Sequence, residues 1–267
     1  MPRRDAAPDF IEAIARGLDV ITAFRPGRPV MALSELAAAT GLARPTVRRI
    51  LVTLESLDYV RPSEGGYTLT PRVLELGLTY VQAMGLWDVA HPHLERLVGH
   101  THQSSSIAQL DGSDIVYVAR VAVPKIIALA VSIGTKFPAP PTSLGKVLLA
   151  GLQPDALDRV LAEPSRSGIT PRVVLDRAQI DETLHEVRAR GWALTDEQLA
   201  GGIRSIAAPL RDGRGRVVAA VNVTVHAAET SVEVLLEQHL PRLLQTAGAI
   251  SADFAMVDAL PKKVAGD

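Results

Sequence analysis

Three sets of residues in this chain of 267 could do chemistry. The first is Thr46, Arg48, Arg49, Val52 and Thr53. In a helix these share the side away from Val47, Ile50, Leu51, Leu54 and Leu57. Two guanidiniums, two hydroxyls and a small apolar patch are the groups that read a DNA major groove: arginine forks onto guanine, threonine bonds bases or phosphates, and an apolar group meets a thymine methyl. The second set is Thr142-Ser143-Leu144-Gly145, where Pro138, Pro140 and Pro141 hold an extended approach and a hydroxyl opens a helix. The free N–H groups of such a start seat a carboxylate, or the hydroxyls simply cap them. The third is Asn222, Thr224 and His226, which alternate with Val221, Val223 and Val225. That strand turns one polar face toward solvent or a polar cavity.

Other chemistries lack their parts. His91-Pro92-His93 and His100-Thr101-His102 resemble metal pairs, but residues two apart on a helix point roughly 200° from each other, so these are expected to be surface or interhelical histidines. There is no cysteine, which excludes disulfides, thiolate metal sites and thiol nucleophiles. No Gly-x-Ser-x-Gly elbow, P-loop or dinucleotide fingerprint occurs. No catalytic residue, metal or cofactor is therefore assigned. The net charge of −1 carries no global basic field, so nucleic-acid binding depends on where the arginines point.

The elements that position these residues follow from periodicity and punctuation. Phe10, Ile11, Ile14, Leu18, Ile21 and Phe24 form the stripe of an amphipathic helix that Arg25-Pro26-Gly27-Arg28-Pro29 stops. Ser34 is a suitable N-cap for a second helix ending at Gly41, and Pro45 suits the first turn of a third. Tyr59 to Leu69 reads as two strands around Gly65-Gly66, placing Arg61 and Arg72 where they could touch phosphates. Helix, short helix, tight glycine turn, helix and hairpin is the order of a winged helix-turn-helix.

A helix over 71–84, ending at Gly85, reads as a linker, and another runs from Leu86 to about Gly99. Strands are expected at Ser106–Leu110 and Ile115–Arg120 around Asp111-Gly112, at Ile126–Ile133, and at Ile203–Leu210 and Val217–Val225 across Asp212-Gly213-Arg214-Gly215. Helices are expected at about Ile180–Arg190 and from Ser231 to Val257, the last interrupted near Pro241. The sum is α+β, divided as a DNA-binding domain over 8–70, a linker helix over 71–85 and a second domain over 86–258. No apolar run approaches the roughly 20 residues that cross a bilayer, so no membrane partner and a cytoplasmic location are expected.

Four ordered segments carry a resemblance to the IclR family of bacterial regulators over about residues 10–256: Ala15–Ile21, the helix-turn-helix from Leu33 to Leu57, Thr142–Ala150 and Gly201–Pro209. Arg16-Gly17-Leu18 and Ala219-Ala220-Val221-Asn222-Val223 look most like the branch typified by PcaR, PcaU and PobR. The resemblance implies a winged helix-turn-helix followed by a GAF-like α+β effector domain, in dimers that pair into tetramers. It also implies binding to double-stranded promoter DNA, controlled by a small carboxylate or aromatic acid of β-ketoadipate-type catabolism. The expected DNA-contacting set is Ser34, Arg44, Thr46, Arg48, Arg49, Thr53, Arg61 and Tyr67. Carried over from the family, the effector-binding set is Thr142, Ser143, Leu144, Gly145, Thr195, Asp196, Ser205, Asn222 and Thr224. One departure is Pro140-Pro141, where the family carries an aromatic and a cysteine. The other readings of the chain are a ligand-binding enzyme or a signalling module that does not bind DNA.

Overall fold

A computed structural model describes residues 9–25, 27–76, 86–124 and 131–259. The chain divides into two compact units, Met1–Ala83 and Met84–Asp267.

The first unit holds α1 (Glu12–Ala23), α2 (Leu33–Thr40) and α3 (Arg44–Ser56), with β1 (Val30–Met31), β2 (Val60–Ser63) and β3 (Gly66–Leu69) in a sheet of order β1-β3-β2. Its core is Val20, Ala23, Met31, Leu36, Ala37, Val47, Leu51, Leu54 and Val60. Gly41 lies at φ +68°, the left-handed conformation that lets α2 end and the chain turn tightly into α3. Two expectations shift. Ser34 lies inside the first turn of α2, the cap position being Ala32, whose N–H donates to Glu35 Oε2 at 2.9 Å. The expected α1 stripe is not the face that is buried: Val20 and Ala23, outside it, enter the core, Ile21 and Phe24 pack partly against that core, and Phe10, Ile11, Ile14 and Leu18 stay exposed. The strand β1 escapes a reading by pattern because it is two residues long. Gly66 makes it possible, since a Cβ there would stand 2.2 Å from the Met31 carbonyl oxygen. Residues 73–76 form a helical turn, and residues 77–85 of the expected linker helix lie outside the described residues.

The second unit is an antiparallel sheet of β4 (Ser104–Asp111), β5 (Asp114–Val121), β6 (Lys136–Pro138), β7 (Ala193–Asp196), β8 (Ile203–Arg211) and β9 (Val217–His226), ordered β6-β5-β4-β9-β8-β7. Its helices are α4 (Leu86–Thr101), α5 (Ser143–Ala150), α6 (Pro154–Ala162), α7 (Arg177–Arg190), α8 (Val232–Val234) and α9 (Leu240–Ala259). Strand alternation sorts the side chains. Ile206, Ala208, Leu210, Val221, Val223 and Val225 pack beneath α4 and α9. Ala108, Ala193, Ala207 and Ala220, all without exposed surface, form the opposite face under α5 and α7. Alanine there leaves room for α5, whose residues 143–149 are all buried.

Capping chemistry fixes several helix starts. Asp176 accepts the Gln179 N–H at 2.9 Å and Gln179 returns the bond to the Asp176 N–H, so α7 begins at Arg177, ahead of the expected Ile180. The interruption near Pro241 is a π-helical turn at Leu235–His239, in which the Leu240 N–H reaches back to Leu235 O. Pro241 offers no N–H to the preceding turn, and the slipped ladder absorbs that loss. Of the expected strand over 126–133, residues 126–130 lie outside the described residues and Val131–Ile133 form no strand. Among the described residues no helix is long and apolar enough to cross a membrane.

Candidate nucleic-acid interface and ligand cavity

The outer face of α3 exists because Val47, Leu51 and Leu54 are drawn into the core. Arg44, Arg48, Arg49, Val52 and Thr53 are exposed on it and Thr46 is half-buried. The ion pairs described in this unit belong to Arg16, Arg28 and Arg72, leaving Arg44, Arg48, Arg49 and Arg61 without a carboxylate partner among the described residues. Arg72 is engaged otherwise than expected: it reaches Asp58 and Glu75 and lies over the Tyr59 ring at 5.4 Å. Leu57, assigned to the core face, sits just past α3 and is half exposed. Arg61 is exposed on β2, and Tyr67 on β3 packs against the core.

In the second unit a cavity opens between the sheet and the start of α5. Thr142, Ser143, Leu144, Thr195, Ser205, Asn222 and Thr224 line it together with Ser104, Tyr117, Arg120, Val131, Leu199, Ile203 and His226. Its volume is about 70 Å³. Thr142 caps α5, its Oγ1 accepting the Gly145 N–H at 2.9 Å and donating to Ala139 O at 3.0 Å. Ser143 Oγ lies 2.6 Å from Ser205 Oγ, which lies 3.1 Å from Thr195 Oγ1, so three hydroxyls form one chain across α5, β8 and β7. Asn222 is 3% exposed; its Oδ1 accepts the Ser106 N–H at 2.9 Å and its Nδ2 donates to Thr224 Oγ1 at 2.9 Å. One amide hydrogen of Asn222 is not used by these bonds.

Two residues of the expected effector set are elsewhere. Asp196 follows Thr195 on β7 and therefore points to the other side, where both its oxygens hold Arg204 at 2.8 and 3.0 Å. Gly145 does not line the cavity; a Cβ there would lie 2.0 Å from Ala139 O, so its contribution is close packing.

Arg120 is the residue that pattern reading missed. Simple alternation along β5 sets Tyr117 and Arg120 on opposite faces. The register passes from Ala108↔Tyr117 to Ile107↔Ala119, leaving Val118 without an opposite residue, and this bulge reverses the parity so that both line the cavity. The available signal was an arginine closing an otherwise apolar strand. Arg120 Nη1 donates to Ser106 Oγ at 3.0 Å. Burial, and then the neighbouring Arg120, act oppositely on Tyr117, whose phenol is pushed up to about 12. Behind the cavity wall, Lys146 Nζ donates to Gln198 Oε1 at 2.7 Å and Leu194 O at 3.3 Å. Burial first, and Arg190 second, push its ammonium down to about 8.

The histidine pairs do not converge. His93 Nε2 meets Asp253 Oδ2 at 2.8 Å between α4 and α9, and His91 stacks edge-on to Trp87. Among the described residues no group of three or more His, Asp and Glu is placed to hold a metal.

A winged helix-turn-helix with free guanidiniums on its third helix, carried with a unit that encloses a polar cavity, defines a DNA-binding regulator that answers a small molecule. The chain belongs to the IclR family: residues 13–64 match the IclR helix-turn-helix domain, and residues 78–252 match the C-terminal domain of the bacterial transcriptional regulator IclR. It is 37% identical over 238 residues to the Pca regulon regulatory protein of Pseudomonas putida, covering 89% of this chain and 82% of that one. To the p-hydroxybenzoate hydroxylase transcriptional activator of Acinetobacter baylyi it is 32% identical over 247 residues, covering 91% of each. An IclR homolog from Microbacterium hydrocarbonoxydans, solved with 4-hydroxybenzoate, shares the fold at TM-score 0.80 and 23% identity, over 91% of this chain and 99% of that one. The matched families and relatives are transcription regulators, not enzymes.

Proposed function

We propose that this chain is a one-component switch for a catabolic pathway of aromatic acids, working as a homodimer or a pair of dimers on promoter DNA in the cytoplasm. A head over 8–70 reads DNA through Arg44, Thr46, Arg48 and Arg49, with Ser34, Thr53, Arg61 and Tyr67 supporting. A domain over 86–258 binds a small carboxylate or aromatic acid, and the segment over 71–85 joins the two. Thr142, Ser143, Leu144, Thr195, Ser205, Asn222 and Thr224 serve the ligand directly.

The cavity is the observation that carries this reading. Apolar walls from Tyr117, Leu144, Leu199 and Ile203 with a few hydroxyls, an amide and a guanidinium are the lining a single-ring acid needs. The exposed Phe10, Ile11, Ile14 and Leu18 of α1 and the residues before it favour self-association of the head. Ligand and DNA are coupled because an acid that binds one arrangement of the dimer more tightly shifts the population toward it. Fluorescence anisotropy of a labelled duplex from the promoter beside the gene tests it, with and without aromatic acids. Salt-dependent duplex binding altered by such an acid is expected. Absence of duplex binding at low salt, or indifference to every acid, refutes it.

A further inference from the structure

Arg120 carries a charge that no carboxylate among the described residues balances. Arg204 and Arg216, in the same unit, each face a carboxylate at 2.8 and 2.6 Å. Arg120 faces none among the described residues, and its guanidinium donates to the neutral hydroxyl of Ser106. Among the described residues the lining of the cavity contains no aspartate or glutamate. Burial works against the charge of this guanidinium, with the neighbouring Tyr117 a smaller influence in the opposite direction. A partly desolvated cation held over a cavity without a counter-ion is a standing cost, and an anion entering the cavity removes it.

The opposite wall is chemically different. Ser143, Thr195 and Ser205 present a chain of neutral hydroxyls, with each oxygen able to accept as well as donate. β5 and β8 are separated by β4 and β9, so three strand spacings, roughly 14 Å, lie between the backbones that carry Arg120 and Ser205. The long Arg120 side chain, directed at Ser106 on β4, crosses the first of these spacings. What is left suits one aromatic ring bearing a polar group at each end.

We propose that Arg120 is the carboxylate-recognising residue of the cavity, with the acid end of the ligand on the β4–β5 side and a ring hydroxyl meeting the Ser143–Ser205–Thr195 chain. This rests on the reading of the cavity as the effector site. It moves the anion away from the start of α5, where one N–H is already occupied by the Thr142 cap. The bulge at Val118 then has a function: without it Arg120 would face α4 and α9.

Calorimetry on the full chain compares wild type, Arg120→Gln and Arg120→Lys, with 4-hydroxybenzoate and 3,4-dihydroxybenzoate as acid probes and 4-hydroxybenzamide as the neutral match. Wild type is expected to prefer the acids over the amide. Arg120→Gln is expected to lose about 30-fold or more in acid affinity while amide affinity changes little, and Arg120→Lys recovers part of the loss. Free Arg120→Gln should melt no lower than wild type, because an uncompensated charge has been removed; a merely structural arginine would lower it. An acid-to-amide preference retained in Arg120→Gln, or an equal loss of both probes, overturns the assignment and leaves the effector reading standing. Failure of wild type to bind either acid overturns both.

Discussion

Gly145→Ala separates packing from ligand contact at the start of α5. The added Cβ would stand 2.0 Å from Ala139 O and 2.5 Å from its carbonyl carbon, where carbon and oxygen in contact need about 3.3 Å. Something must move by more than about 1 Å, and the obstacle is backbone with no rotamer to change. Ala139 has no exposed surface, and its carbonyl accepts both the N–H and the hydroxyl of Thr142 at 3.1 and 3.0 Å. Overpacking against backbone costs about 3 kcal/mol, the upper end of the usual range. Loss of the Thr142 cap adds about 1 kcal/mol, and the better helix propensity of alanine returns about 1 kcal/mol. The net is about 3 kcal/mol, which lowers the melting temperature of a domain this size by roughly 6–12 °C. Gly99→Ala is the control: this glycine lies in α4 and its Cβ would meet nothing within 4 Å. There the same change should stabilise by about 0.5–1 kcal/mol. Calorimetric melts of both variants decide. Gly145→Ala melting at or above wild type would refute the close-approach argument, and a drop shared by Gly99→Ala would show a nonspecific effect.

Arg49→Ala should weaken specific duplex binding by about 1–3 kcal/mol and leave stability within about 0.5 kcal/mol, since Arg49 has no carboxylate partner to strand among the described residues; an unchanged footprint and affinity would remove it from the interface. Asn222→Ala leaves the Ser106 N–H and the Thr224 hydroxyl without their partners and should cost about 1–3 kcal/mol in urea unfolding. Any loss of ligand in that variant is to be read beside its melt, and wild-type stability in it would show these bonds to be dispensable. Lys146 holds fewer protons folded than unfolded between about pH 8 and its ordinary value of 10.5. Its contribution to stability therefore increases as pH rises through that window and is lost as pH falls through about 8. The difference in stability between wild type and Lys146→Met should move in wild type's favour from pH 8 toward 10.5; a pH-independent difference would contradict the depressed ammonium.

The head was largely legible in the chain because its signals are local. Gly41 ends α2, Pro45 sits in the first turn of α3, and the three-and-four spacing of Val47, Leu51 and Leu54 orients Arg48 and Arg49 outward. The errors there are also local in size: the α2 cap falls at Ala32, and β1 is too short to show a pattern. In the larger unit, alternation along β9 already places Asn222 and Thr224 on one face, and along β7 it would have separated Asp196 from Thr195.

The cavity needed more than alternation. Whether the polar face of β9 met solvent or an enclosed space depended on α5 descending over it, which Gly145 and the alanines of four strands permit. Arg120 reached the cavity only through a bulge created by pairing β5 with β4. Periodicity along a chain determines which residues share a face of their own helix or strand. Register, bulges and the approach of a distant helix depend on partners elsewhere in the chain. So the amino-acid sequence by itself determined the outward, arginine-bearing face of α3, and only the tertiary structure decided which cation stands over the cavity.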